Sequence, residues 1–163
     1  MARLGPPTSS VKDSYLHGER DLCSEEGVSD AHLDEAAADF DAFVRRRRAV
    51  RESWGVPVTE LWFVEGDEYI GTVVVRHRLT KELEESGGHV GYHVVPKLRR
   101  RGHGTRMLAA AIEFCRQRGI TTVRVTCAED NTASRRVIEA NGGVLEDVSR
   151  GEARYWIDES APR

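Results

Sequence analysis

Apolar and polar positions divide this chain into helical and extended segments. Leu61 to Val64 and Tyr69 to Arg76 are β-branched and aromatic runs, and Glu65-Gly66-Asp67-Glu68 between them predicts an antiparallel hairpin. His89 to Val95, opened by Gly87-Gly88, and Thr121 to Cys127 also read as strands. Thr105 to Gln117 repeats at the helical period and stops near Gly119; a further helix runs from about Thr132 to Ala140, ended by the turn Asn141-Gly142-Gly143. Val144 to Ser149 and Ala153 to Ile157 predict a second hairpin around Arg150-Gly151. Before the first hairpin, Val11, Tyr15, Leu22 and Cys23 predict a short helix that Gly18 weakens and Gly27 ends. A longer helix is predicted from about Ala31 to Ser53, capped by Ser29 or Asp30. Its apolar stripe is His32, Leu33, Ala36, Ala37, Phe40, Phe43 and Val44. Leu79 to Ser86 reads as a loop with a helical turn. The Gly/Pro/Ser/Thr-rich residues 1–10 read as partly disordered, with Met1 to Leu4 as an edge strand that Pro6-Pro7 ends. The order is helix, helix, hairpin, strand, helix, strand, helix, hairpin. Such an α/β (α+β) chain must cover a central sheet with its helices.

Length and composition narrow this picture only slightly. The 163 residues predict a single domain, 1–163, with no internal repeat and no linker. Apolar content of 39% and charged content of 31% fit a globular protein with one core. The net charge of −3 argues against general affinity for nucleic acid. The run Arg45-Arg46-Arg47-Arg48 with Arg51 therefore reads as a solvated helix end, with Asp39 and Asp41 as counter-charges. Three cysteines, Cys23, Cys115 and Cys127, show neither metal-ligand nor C-x-x-C spacing; Cys115 and Cys127 read as small core residues. Met1 to Ser10 holds no apolar run suited to a signal peptide, and no stretch approaches the ~20 apolar residues of a membrane span. A cytoplasmic location is expected, with no membrane partner.

The chemistry concentrates in Val94-Val95-Pro96-Lys97-Leu98-Arg99-Arg100-Arg101-Gly102-His103-Gly104-Thr105. A strand ends at proline, three arginines follow, and Gly-x-Gly leads into a long helix. Backbone N–H groups at such a helix start converge on one point, the dipole adds positive charge, and glycine permits close approach of a ligand. The loop is suited to a phosphate or pyrophosphate.

The pattern Arg99-x-x-Gly102-x-Gly104 between a strand and a helix resembles the acetyl-CoA pyrophosphate loop of the GNAT N-acetyltransferases. Two further segments support the resemblance: Gly88-His89-Val90-Gly91-Tyr92 before the loop, and Asn131-Thr132-Ala133-Ser134…Asn141-Gly142-Gly143-Val144-Leu145 after it. The resemblance implies a central mixed, mostly antiparallel twisted sheet of about six to seven strands flanked by about four helices, splayed at the strand before the loop. It implies acetyl-CoA as cosubstrate and an N-acetyltransferase acting on a primary amine, expected to be that of a small molecule. On this reading the amides of Arg100, Arg101, Gly102, His103, Gly104 and Thr105 bind the pyrophosphate. The Arg99, Arg100 and Arg101 guanidiniums reach toward it, though not all three at once. Val94 and Val95 would pair with the pantetheine as if it were an added strand. An N–H near Val94 would face the thioester oxygen, and Asn131 would contact the cofactor or simply cap its helix.

Many members carry Asn-x-x-Ala-x-x-x-Tyr, whose tyrosine protonates the leaving thiolate. Here those positions are Asn131, Ser134 and Ile138, so the tyrosine is absent and Ser134 or water must serve. For a base, His89, Gly91 and His93 share one strand face and Val90, Tyr92 and Val94 the other, subject to a bulge. His89, with an ordinary pKa near 6.5, and Tyr92 are the catalytic candidates with Ser134. His103 suits a phosphate contact, and Glu84, Glu85 and Glu129 suit the substrate mouth. Direct transfer needs no nucleophilic cysteine. The six histidines show no metal-ligand spacing, and a nucleotide enzyme is disfavoured by the lack of Gly-Lys-Ser/Thr. The alternative function is a non-catalytic acyl-CoA-binding or regulatory domain. A homodimer through the apolar last hairpin is a further expectation.

Overall fold

The first hairpin extends well beyond its apolar core. In the computed structural model β3 (Val56–Glu65) and β4 (Glu68–Arg76) pair antiparallel from Val58↔Arg76 to Glu65↔Glu68, with a bulge at Phe63/Val64. The structure describes residues 1–159, and the last four residues of the expected domain lie outside them. Alternation along β3 sends Trp62 to one side of the sheet and Leu61 and Phe63 to the other. On the first side, Trp62 stacks on Tyr15 of α1 (Lys12–Glu26) with centroids 4.4 Å apart, among Phe40, Phe43 and Tyr69. On the second, α5 (His103–Gln117) buries Met107, Leu108, Ile112 and Cys115 against the sheet.

The N-terminal half departs from the sequence reading in three ways. Residues 1–10 are not disordered: β1 (Arg3–Gly5) pairs with β3, and a 3-10 turn at Ser9–Val11 leads into α1. Gly18 does not shorten α1, which runs for 15 residues to a left-handed cap at Gly27. A Cβ at Gly18 would lie 2.8 Å from Val95 Cγ1, so the glycine lets the helix approach the end of β5 (Val90–Val94). The helix expected from Ala31 to Ser53 is three elements: α2 (Ala31–Ala38), α3 (Phe40–Arg48) and β2 (Arg51–Ser53), the last paired with β3. Asp39 makes the break. Its backbone leaves the helical region and its side chain accepts from Ala42 N at 3.1 Å, capping α3 instead of serving as a surface counter-charge. The arginine run is only partly solvated: Arg47 and Arg51 donate to the buried Glu60 carboxylate at 2.9 and 3.1 Å.

The C-terminal half follows its pattern closely. After α4 (Lys81–Glu85) come β5, α5, β6 (Thr122–Ala128), α6 (Thr132–Ala140), β7 (Val144–Ser149) and β8 (Glu152–Asp158). Helix α5 begins at His103, two residues before its expected start. The strands form two sheets where one was expected. The first has the order β1-β3-β4-β5 with β2 on β3; the second has the order β6-β8-β7, and all these pairings are antiparallel.

The sheets meet at one corner. His89 N donates to Arg124 O at 2.8 Å, Arg124 N donates to His89 Nδ1 at 2.9 Å, and Gly87 N donates to Thr126 Oγ1 at 2.9 Å. A Cβ on Gly88, whose φ is +62°, would sit 2.4 Å from Arg124 O, so only glycine fits there. Beyond this corner no ladder joins β5 to β6 among the described residues, and the strands part as the splay requires. Edge strand β7 leaves Val144, Leu145 and Val148 exposed. Among the described residues no helix is long and apolar enough to cross a membrane.

Candidate functional site

The gap between β5 and β6 opens onto a cavity of about 700 Å³. Its first wall is the unpaired edge of β5. Odd-numbered residues of this segment bond to β4: Arg76 N donates to His89 O at 2.7 Å, and Val95 N to Ile70 O at 2.9 Å. The alternate residues Tyr92 and Val94 therefore turn their N–H and C=O groups away from β4, toward the gap. Val94 lines the cavity, and its carbonyl accepts from Arg99 Nε at 3.2 Å. Val95 does not. It is buried against α1, and its N–H and C=O are both taken, the latter by Leu98 N at 3.0 Å, so it has no free group for a ligand strand.

The second wall is the loop and the start of α5. Pro96–Leu98 forms a 3-10 turn, Arg100 takes a left-handed φ of +63°, and Gly102 one of +78°. The first bond of α5 is Arg106 N to Gly102 O at 3.3 Å, so the amides of His103, Gly104 and Thr105 have no partner among the described residues at a helix N-terminus. Gly104 faces Val137 and Tyr92, and a Cβ there would touch both. Arg99 and Arg100 line the cavity, with Arg99 Nη1 also bonded to Glu25 of α1 at 2.6 Å. Arg101 does not line it, and its carbonyl accepts from Arg106. His103 lines the cavity, accepts from Arg106 Nη2 at 2.9 Å through Nδ1, and is held below its ordinary pKa by burial and by the Arg106 charge.

The third wall is the start of α6. Asn131 lines the cavity and caps the helix, its Oδ1 accepting from Ser134 N at 3.1 Å. The Ser134 hydroxyl lies 2.8 Å from the Tyr92 hydroxyl, joining helix to strand within the cavity. Burial raises the Tyr92 pKa against the opposing effect of the Ser134 hydrogen bond, so the phenol keeps its proton at neutral pH. Ile138, which stands where many GNAT members have tyrosine, is fully buried in the core. Asn141 Nδ2 ties α6 to α5 by donating to Thr105 O and Val137 O at 3.2 and 2.9 Å.

Besides Val95 and Arg101, two further assignments differ from the sequence reading. His89 is not among the residues that line the cavity; it is 7% exposed, its Nδ1 holds the Arg124 amide, and burial lowers its pKa to about 4. It is a hinge between sheets, with its lone pair already engaged. Glu84, Glu85 and Glu129 are also away from the walls, and Glu25 is the carboxylate that lines them. The residue missed was His93, on the opposite face of β5 from Tyr92. It lines the cavity with Nε2 2.8 Å from Glu19 Oε1. Its place on the strand was readable; the approach of α1 that brings Glu19 to it was not. Among the described residues no cluster of His, Cys, Asp and Glu is placed to hold a metal ion.

An open strand edge beside a helix N-terminus, with hydroxyls between, has the shape and donors that suit an extended ligand ending in phosphates. Residues 6–144 match the model of the acetyltransferase (GNAT) domain, and the chain belongs to that family. It is an acetyl-CoA-dependent N-acetyltransferase domain by that membership. No curated protein matches its sequence. Its fold is similar to that of RimJ from Mycobacterium smegmatis in complex with CoA-disulfide, with TM-score 0.70 and 17% identity, covering 99% of this chain and 84% of that one. The acetyltransferase from Salmonella typhimurium that modifies the N-terminal serine of 50S ribosomal subunit protein L7/L12 gives TM-score 0.62 at 14% identity, covering 96% and 94%. Campylobacter jejuni N-acetyltransferase PseH in complex with acetyl coenzyme A gives TM-score 0.63 at 12% identity, covering 98% and 99%.

Proposed function

We propose that this protein transfers the acetyl group of acetyl-CoA to a primary amine, that of a small molecule, by direct attack in a ternary complex. The observation that carries the reading is the cavity of about 700 Å³ where the free edge of β5, the amides of His103 to Thr105 and the Tyr92–Ser134 pair meet. Residues and ligand fit each other. Val94 N–H is open for an amide-bearing chain, the start of α5 for a pyrophosphate, and Arg99 and Arg100 for its charge. Bound acetyl-CoA supplies an activated thioester whose acyl carbon a neutral amine attacks, releasing a thiolate. Tyr92 then does what the absent helix tyrosine does elsewhere in the family: its protonated phenol, held by Ser134, delivers the proton to the departing sulfur. No cysteine is asked to act, in keeping with Cys115, which burial raises to about 11.

The fold neighbour acting on an N-terminal serine favours a second acceptor class, the α-amine of a protein. The test is thermal stability with acetyl-CoA and with CoA, followed by thiol release over a panel of polyamines, amino sugars, amino acids and serine-initiated peptides. Stabilisation with turnover of a small amine supports the proposal, and turnover of peptides alone moves the acceptor to the second class. Stabilisation without any turnover returns the chain to an acyl-CoA binder.

A further inference from the structure

His93 reaches the cavity from the side of the sheet that faces α1. Its Nε2 is 2.8 Å from Glu19 Oε1, and the Tyr69 hydroxyl bonds to the same carboxylate oxygen and to Thr72 Oγ1. Glu19 lies in the middle of α1 with its side chain 12% exposed, whereas that of His93 is 37% exposed. Burial by itself raises the Glu19 carboxyl, but hydrogen bonds from His93 and Tyr69 outweigh it and hold the group below the usual carboxylate range. A buried anion beside one ring nitrogen makes that nitrogen the N–H donor. Nδ1 then carries the lone pair, with no partner among the described residues. The other titratable or charged groups around this cluster are Tyr15 of α1, Tyr69 of β4, His32 of α2, and Arg99, which is bonded to the carbonyl next in chain.

We infer that His93 is the general base of the reaction, taking the acceptor's proton on Nδ1, and that Glu19 positions its ring. The inference rests on the acetyltransferase reading above. An ammonium acceptor gives one proton to Nδ1 and becomes nucleophilic. The N–C bond forms and the C–S bond breaks; Tyr92 gives its proton to the sulfur, the second proton of the nitrogen passes to water, and water returns one to the Tyr92 phenolate. His93 then loses its proton to water through its exposed edge. Two residues adjacent in sequence thus serve opposite ends of one transfer, because a strand turns them to opposite faces and the cavity touches both.

The experiment uses the full chain and the best acceptor from the amine panel. His93→Gln is expected to bind acetyl-CoA as the wild type does, to lose about 10²-fold in kcat/KM, and to lose the acidic limb of the pH–rate profile. Glu19→Gln should lower kcat while keeping an acidic limb, with Glu19→Asp restoring part of the rate. Imidazole 15N spectra should assign the Nε2–H tautomer to His93. A His93→Gln enzyme with unchanged rate and profile, or an Nδ1–H tautomer, overturns the assignment and leaves the acetyltransferase reading intact. A wild type that binds acetyl-CoA yet acetylates no amine overturns both.

Discussion

Gly102 caps α5 at φ +78°, and a Cβ there would lie 2.9 Å from Arg106 Nη1. Gly102→Asp therefore adds left-handed strain and a negative charge beside amides that await an anion. CoA affinity should fall at least about tenfold, equivalent to ~1.4 kcal/mol, in calorimetric titration, with the far-ultraviolet spectrum unchanged. His89 makes a different kind of prediction. Its pKa is lowered to about 4 in the folded state, while an unfolded histidine titrates near 6.5. The unfolded chain binds the extra proton between these values, so the contribution is complete above pH ~6.5 and is lost as pH falls toward about 4. The loss approaches about 3 kcal/mol. Urea unfolding of wild type and His89→Gln across this window should give a smaller slope in the variant, and equal slopes would refute the hinge role. These two residues mark what single positions disclosed. Gly102, Gly104 and Ser134 were legible because a motif fixes backbone or hydroxyl at a known spacing. The choice between His89 and His93 was not, because alternation says which residues share a face but not which of them meets water, a helix or another sheet.

At the scale of elements, legibility follows the length and regularity of the pattern. Strands and helices after Val90 repeat cleanly and match their expected bounds within about two residues. The segment from Ala31 to Ser53 hid its break because apolar spacing continues from α2 into α3. The residue that decides the break is Asp39, whose side chain caps the amide of Ala42 three positions on. Strand β2 was missed because its three residues are polar and gain their place only through β3. Glu60 shows how such pieces are fastened. It accepts from Arg47 of α3, Arg51 of β2 and Trp62 Nε1, the last at 2.9 Å with the indole fully buried. Glu60→Ala leaves the two arginines access to water but strands the indole N–H. The expected cost is about 1–3 kcal/mol in urea unfolding, with KM for acetyl-CoA unchanged because the cluster lies outside the cavity walls.

The whole molecule is two sheets hinged at the His89–Arg124 corner and held apart where the cavity opens. The apolar pattern contained the strands, and only the family resemblance carried the splay, since separation of β5 from β6 is a property of pairings that do not form. Away from that corner, the hydrogen bonds across the gap among the described residues include Tyr92 to Ser134, and Asn141 to Thr105 between the flanking helices. A ligand that lies along β5, ends on α5 and meets Asn131 on α6 touches both halves, so it should act as a clamp. Mass action sets the size of the effect: at a hundredfold excess over Kd, binding adds about 2.7 kcal/mol, or roughly 5–10 °C in Tm for a domain of this size. A clamp also has a spatial signature that simple binding to the loop lacks. Hydrogen exchange with CoA bound should slow at Val94 and His103 to Thr105 on one side and at the start of α6 on the other. Protection confined to the α5 side would mean that the pyrophosphate loop binds alone and that the second sheet takes no part in holding the cosubstrate.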